Sequence, residues 1–426
     1  MKGRLMHICL FEDEGYSRLL PLVYFRPVYD LRCGAQLLRE RIASSFPGAK
    51  VSFHTRPYLS GVVSEACPGA SVNELPGELE EVVFINGRLL VDESGVKAIE
   101  KLKPNQVLQY DTTVVAARFS GTQLKNIKDR LNQGALTSET FQGLPVISAK
   151  SRIITYPWEL VQYNGEVLRE DFIQLTGDNP TIQGQVYDGA VLVNRDQIHI
   201  GSDAQVKPGV VLDASEGPIF LDDGVRVFPN AVLEGPVYVG KNSLIKAGAK
   251  IYENTSIGPV CKVGGEVEES ILHSYSNKQH EGFLGHAYLG SWVNLGADTN
   301  NSDLKNDYGT VKVYVQGELM DTGSQFVGLT MGDHSKSGIN AMFNTGTVVG
   351  VNCNLFGATL PPKFVPSFTW GNASDGFVTY RLEKAIQVAR RVMARRKVEL
   401  TPAMEILFRT VFEQSQTERD AFGLSA

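Results

Sequence analysis

The chain has no apolar run long enough to cross a bilayer, no excess of positive charge, and few cysteines for its 426 residues. A spanning helix needs about 20 consecutive apolar residues, so helical transmembrane classes are excluded and no membrane partner is expected. A formal net charge of −6 argues against a nucleic-acid partner, because phosphate backbones select a net basic surface. The five cysteines (Cys9, Cys33, Cys67, Cys261, Cys353) are scattered, odd in number and without metal-site spacing. They read as reduced, buried thiols of a cytoplasmic protein. The opening stretch MKGRLMHICLFEDEGYSRLL passes from a short apolar run straight into acids, which suits a first buried strand and not a secretory leader. Hydrophobic content of 42% and charged content of 21% describe a globular chain too long for one ordinary core.

What the sequence does hold is a period of six. Leu221, Val227, Leu233, Val239, Ile245, Ile251, Ile257 and Val263 are aliphatic at six-residue intervals. Neither a helix, with period 3.6, nor an alternating strand, with period 2, produces that spacing. It is the mark of a β-helix, in which each turn stacks on the last around an aliphatic interior. Mostly small residues precede each next aliphatic by two positions (Val225, Ala231, Val237, Ser243, Ala249, Thr255, Cys261), where the coil turns a corner. The phase also extends to Ile200, Val206 and Leu212, and recurs at Phe283, Leu289 and Leu295, then at Ile339, Thr345 and Val351.

Around this repeat the chain divides into four parts. In residues 1–155, MHICLF, KVSFHT and EVVFING read as strands and LRCGAQLLRERIASSF as an amphipathic helix, which suggests an α/β layer. Residues 156–183 hold a connecting helix with Pro157 in its first turn. Residues 184–375 form the coil, interrupted near 299–325 by a polar loop or hairpin. The tail, 376–426, has helical periodicity and a basic stripe (Arg390, Arg391, Arg395, Arg396, Lys397). A helix capping the open end of the coil accounts for it, and a basic partner-binding face is the other reading.

Two segments carry a family resemblance. SRLLPLVYFRPVYDLRCGAQLLRERI resembles the amino-terminal signature of sugar-1-phosphate nucleotidyltransferases. SNKQHEGFLGHAYLGSWVNLGADTNNSDL is similar to the acetyltransferase half of the bifunctional enzyme that acetylates glucosamine-1-phosphate and then uridylylates it. The resemblance implies a Rossmann-type α/β nucleotidyltransferase-like domain followed by a left-handed parallel β-helix of hexapeptide repeats and a helical tail. It implies transfer of the uridylyl or thymidylyl group of UTP or dTTP to a sugar-1-phosphate, with Mg²⁺ and release of pyrophosphate, coupled to N-acetylation from acetyl-CoA, for cell-envelope polysaccharide. It further implies a homotrimer. An acyltransferase with an inactive sugar-nucleotide-binding domain and a non-catalytic scaffold are the rival readings.

Nucleotidyl transfer asks the protein mainly for charge neutralisation and in-line positioning. Arg18, Arg26 and Arg32 lie on the segment where the family holds its triphosphate, and guanidinium forks suit phosphate oxygens. Alternatively, Arg26 and Arg32 pair with Glu12, Asp13 or Asp30. The family's Gly-rich loop is replaced by FEDEGY, with one glycine and three acids. Where the family has a Gly-Asp metal pair after a buried strand, this chain reads Asn86-Gly87-Arg88. Asn86 brings a carbonyl but no charge, and Asp92 is a metal ligand at the wrong spacing or a turn residue.

For acyl transfer one general base suffices, and His280 stands at the family's catalytic position, with Lys278 before it and Phe283 and Asn294 after it. Three hexads close a turn, so residues i and i+18 should stack about 4.8 Å apart. That places Asp298 over His280, where a carboxylate would fix the imidazole tautomer, and Asn294 over Ser276. EVEES, at residues 266–270, is acidic where the family has a phosphate-binding lysine, and Phe283 stands for a tyrosine. Asn300, Asn301, Ser302, Asp303 and Lys305 form a polar cluster suited to sugar hydroxyls or to a solvated loop. His334 and Lys336 lie among glycines, as a CoA cradle or an ordinary coil edge would.

Overall fold

In the computed structural model, which describes residues 6–77, 79–177 and 179–424, the first apolar runs form a six-stranded mixed sheet. Strand His7–Phe11 pairs in parallel with Lys50–Phe53 on one side and Glu81–Asn86 on the other. All five of its residues are buried, as a strand covered on both faces requires. Thr113–Ser120 and Gln106–Tyr110 add antiparallel neighbours, and Val146–Ser148 closes the edge in parallel. The three strands expected from the sequence are present; the first five residues of the amino-terminal reading lie outside the described residues.

Residues 31–46, expected as one helix, are helical only over Leu38–Ser45. Arg32–Cys33 and Gln36–Leu37 form a tight antiparallel pair instead. Gly34 turns it with a φ of 74°, which suits a residue without a Cβ. Asn164 and Asp171, on the long helix Pro157–Thr176, accept the N–H groups of Gly34 and Ala35 at 2.7 and 2.8 Å. Tertiary contact overrides the helical period there. The long helix itself begins as expected, with Pro157 in its first turn and Glu159 accepting from the N–H of Thr155 at 2.6 Å. It is wedged between sheet and coil: Asn164 also donates to the Asn254 carbonyl (2.7 Å) and accepts from the Ser256 hydroxyl (3.0 Å).

All eight aliphatic hexad residues are fully buried and share one interior cluster. Leu221 pairs with Val239, Val227 with Ile245 and Leu233 with Ile251, so one rung is 18 residues. The rung is longer earlier (Leu212 with Leu233) and shorter later (Ile257 with Leu272, Leu272 with Leu289). Leu289 then pairs with Met331, because an antiparallel hairpin, Lys312–Val315 with Glu318–Asp321, is thrown out of the coil. These changes of rung length shift the phase. Leu284 points inward where Phe283 is expected to. Ile339 is 70% exposed and Val351 joins the α/β core, while Phe343, Val349 and Leu355 fill the coil.

The last rung closes on a hairpin, Thr369–Asn372 with Gly376–Thr379, whose Phe377 packs on the coil interior. The last tail helix, Gln416–Phe422, sets Phe422 against that Phe377 at 5.8 Å, so the tail's end covers the closing hairpin while its two longer helices lie elsewhere. Leu382–Ala394 lays Ile386, Ala389 and Met393 beside Trp292 on the coil's flank, and Pro402–Gln414 sends Leu407 and Val411 into the α/β core. Among the described residues no helix is long and apolar enough to cross a membrane.

Candidate functional site

Parallel strands open a crevice at their carboxyl ends. Strands His7–Phe11 and Glu81–Asn86 deliver their following loops to a cleft of about 430 Å³, lined by Asp13, Glu14, Gly15, Ser17, Arg18, Arg88, Thr113, Thr137 and Ser138. Arg18 lies 5.9 Å from the Tyr156 ring, and its buried Nε has no partner among the described residues. Glu12 is buried away from the cleft, accepting from the Thr55 hydroxyl (2.7 Å) and the Arg56 guanidinium (3.0 Å).

Of the three arginines expected on phosphates, only Arg18 reaches this cleft. Arg26 points into the contact between α/β domain and coil, donating to Asp333 (2.5 Å) and Ser291 (3.0 Å). Arg32 donates to the His273 and Ala35 carbonyls. Neither meets Glu12, Asp13 or Asp30, which pair instead with Arg56, Arg88 and Arg39. Gly87 is a packing residue, since an added Cβ would lie 2.9 Å from the Tyr29 ring.

The Mg²⁺ implied by the resemblance does not fit the residues present. The Asp13 oxygens accept from Arg88 Nε (2.7 Å), Arg88 Nη2 (2.5 Å) and Asn86 Nδ2 (2.9 Å). The Asn86 carbonyl already accepts the Arg88 N–H at 2.9 Å. Asp92 caps the helix Glu93–Glu100 by accepting from the Gly95 N–H at 2.7 Å. Mg²⁺ demands near-octahedral oxygens, and a guanidinium fork on Asp13 opposes it in charge and in position.

On the coil, His280 is exposed and its imidazole has no hydrogen-bond partner among the described residues. The Asp298 pairing fails because the rung is 17 residues here: Asp298 stacks on Glu281, donating its N–H to that carbonyl at 3.0 Å. Asn294 likewise bridges Asn277 and Lys336 and does not sit over Ser276. Lys278 is buried, donating to the Gly264 and His280 carbonyls (2.9 and 2.8 Å), and burial pulls its ammonium down to about 8. It therefore holds the His280 backbone and presents no charge to solvent. Phe283 is half-buried. Asn301 ladders onto Gly285, and Lys305 pairs with Asp307 at 3.1 Å.

Asp303 has a different partner. It accepts from His286 Nδ1 at 2.8 Å, while His286 Nε2 is 3.5 Å from Glu269 and the ring stacks on Phe326. Burial alone would lower the imidazole pKa; the Asp303 hydrogen bond and the acidic neighbours raise it above its ordinary value.

A second pocket, about 420 Å³, opens between coil and tail helix. Lys262, Asn277, Asn294 and Lys336 come from stacked coil strands, Tyr275 and Trp292 from its corner, and Arg395 and Arg396 from the end of the helix. Tyr275 and Trp292 stack at 4.2 Å and 14°. Arg396 donates to Asn277 Oδ1 at 2.7 Å. No carboxylate is among the lining residues. Burial lowers the Lys262 pKa, helped by Arg396 and Arg395, and burial takes Lys336 to about 8. Uncompensated like charges around one hollow select an anion. Nothing in the spacing of Lys262 and Trp292 marks them in the sequence; Asn294, Lys336 and the arginine stripe are the pocket residues to which the sequence does point.

Residues 8–179 match the family described as sugar nucleotidyl transferase. A bifunctional sugar-1-phosphate nucleotidylyltransferase/acetyltransferase of Sulfurisphaera tokodaii is 29% identical over 236 residues, half of this chain and 56% of that one. The bifunctional protein GlmU of Methanocaldococcus jannaschii is 27% identical over 144 residues, 34% of each chain. A UDP-N-acetylglucosamine acyltransferase of Francisella novicida overlaps 56% of this chain and 76% of its own at 16% identity, with a TM-score of 0.32, too loose to bear on the fold. The relatives are transferases, and the resemblance read from the two sequence segments is borne out. The chain spans about half or less of the length of these curated relatives.

Proposed function

We propose that the protein is a sugar-nucleotide transferase whose reaction runs on the β-helix: acetyl-CoA-dependent N-acetylation of an amino-sugar phosphate, with the α/β domain holding a nucleotide. The carboxylate-free basic pocket supports this reading most directly. Lys262, Lys336, Arg395 and Arg396 suit the phosphates of CoA or of the sugar. His280 follows the pocket residue Gln279 and is solvent-accessible. The imidazole there takes a proton from the amine as nitrogen attacks the thioester carbon and returns it to the departing sulfur; the C–N bond forms, the C–S bond breaks, and CoA leaves as thiol. The setting is cytoplasmic, in keeping with five free cysteines, and the assembly a trimer.

Nucleotidyl transfer from UTP or dTTP to a sugar-1-phosphate is the second reading, favoured by the family match over residues 8–179 and by Arg18 in the strand-end cleft. The saturated Asp13 weighs against it. Two assays separate the readings. Free-thiol release from acetyl-CoA with glucosamine-1-phosphate tests the first and should vanish in His280→Ala. Pyrophosphate release with a sugar-1-phosphate panel tests the second. Pyrophosphate without thiol release reverses the order, and silence in both overturns each.

A further inference from the structure

We infer that the α/β cleft binds its nucleotide without a divalent cation, the Arg88 guanidinium standing on the one carboxylate through which a metal ion would be held. The inference rests on reading this domain as a nucleotide binder. Asp13 is the acid that the strand His7–Phe11 delivers to the inner end of the cleft, and its oxygens already accept three hydrogen bonds. Arg88 cannot easily leave. It is 1% exposed, its Nη1 donates to the Ile154 carbonyl at 2.7 Å, and the loop at Gly15 lies so close that an added Cβ would be 2.5 Å from the guanidinium carbon. Gly15 is therefore the residue that lets an arginine lie under the loop.

The charge balance follows. Asp13 and Arg88 cancel, and Glu14 is exposed at the rim. One rim carboxylate is a poor ligand set for a cation that wants several oxygens. What remains for an anion is the Arg18 guanidinium with its orphan Nε, and the hydroxyls of Ser17, Thr113, Thr137 and Ser138. Such donors suit phosphate oxygens directly. The ligand class is a nucleoside diphosphate or nucleotide sugar taken as the free anion.

Calorimetric titration of the full chain with UDP and with dTDP, in MgCl₂ and in excess EDTA, tests this. Binding in EDTA at least as tight as in MgCl₂, weakened about tenfold by Arg18→Ala in both buffers, is the expected result. Binding that falls tenfold or more when Mg²⁺ is removed overturns the inference and leaves the nucleotide-binding reading standing. Binding indifferent to Arg18→Ala overturns the inference by placing the ligand elsewhere. No binding in either buffer overturns both.

Discussion

Arg26 and Arg18 lie eight residues apart on one loop segment, yet the structure gives them opposite roles, and a pair of substitutions separates those roles. Arg26 is 7% exposed and bridges the α/β domain to the coil through Asp333 and Ser291. Asp333 is itself buried and accepts the Ser291 N–H at 2.8 Å. Arg26→Ala leaves that carboxylate without its cation, and breaking a buried pair this way costs about 3–5 kcal/mol. Replacing both partners by apolar residues, Arg26→Met with Asp333→Leu, should restore most of the loss. The deficit also has a pH signature. Burial raises the Asp333 pKa and Arg26 pulls it back down; without Arg26 it rises further. A group raised on folding contributes stability below its unfolded pKa and loses it as pH climbs through the folded one. The Arg26→Ala deficit should therefore shrink on acidification. Arg18→Ala, by contrast, should change stability by less than about 0.5 kcal/mol and weaken nucleotide binding. Urea denaturation followed by tryptophan fluorescence, with calorimetric titration alongside, reads both quantities. Should Arg26→Ala unfold within about 1 kcal/mol of the parent while losing nucleotide affinity, the structural assignment is wrong and Arg26 returns to the phosphate site.

Other expectations follow from the same geometry. Leu233→Ala, in the coil interior, should cost about 2–5 kcal/mol by thermal or chemical denaturation, whereas Ile339→Ala, at 70% exposed, should cost less than about 0.5 kcal/mol; equal effects would refute the observed phase. His286 should titrate above its ordinary value in an NMR pH series, and Asp303→Asn should bring it down. Because that pKa is raised on folding, its stabilisation is present below about pH 6.5 and disappears as pH rises through the folded value; an unshifted resonance in Asp303→Asn removes the argument. Arg396→Ala should raise the KM for acetyl-CoA about tenfold with little change in melting temperature, since Arg396 has one neutral partner, Asn277; an unchanged KM would take CoA out of this pocket.

The sequence by itself determined the repeating part of the molecule. A six-residue period is a local constraint, each aliphatic side chain having to face inward on a short strand, and the eight residues from Leu221 to Val263 meet it without exception. The buried strands of the α/β domain are legible for the same reason. Charge partners and rung register are not local, and only the tertiary structure decided them. Asp13 finds Arg88 and Arg26 finds Asp333 across long stretches of chain, and the basic pocket draws on several coil strands and the returning tail. One residue fewer in a rung moves Asp298 from His280 to Glu281. The hexad rule governs which side chains point inward but not how many residues each corner takes, so what stacks on what outside the coil depends on insertions and deletions that the aliphatic pattern does not record.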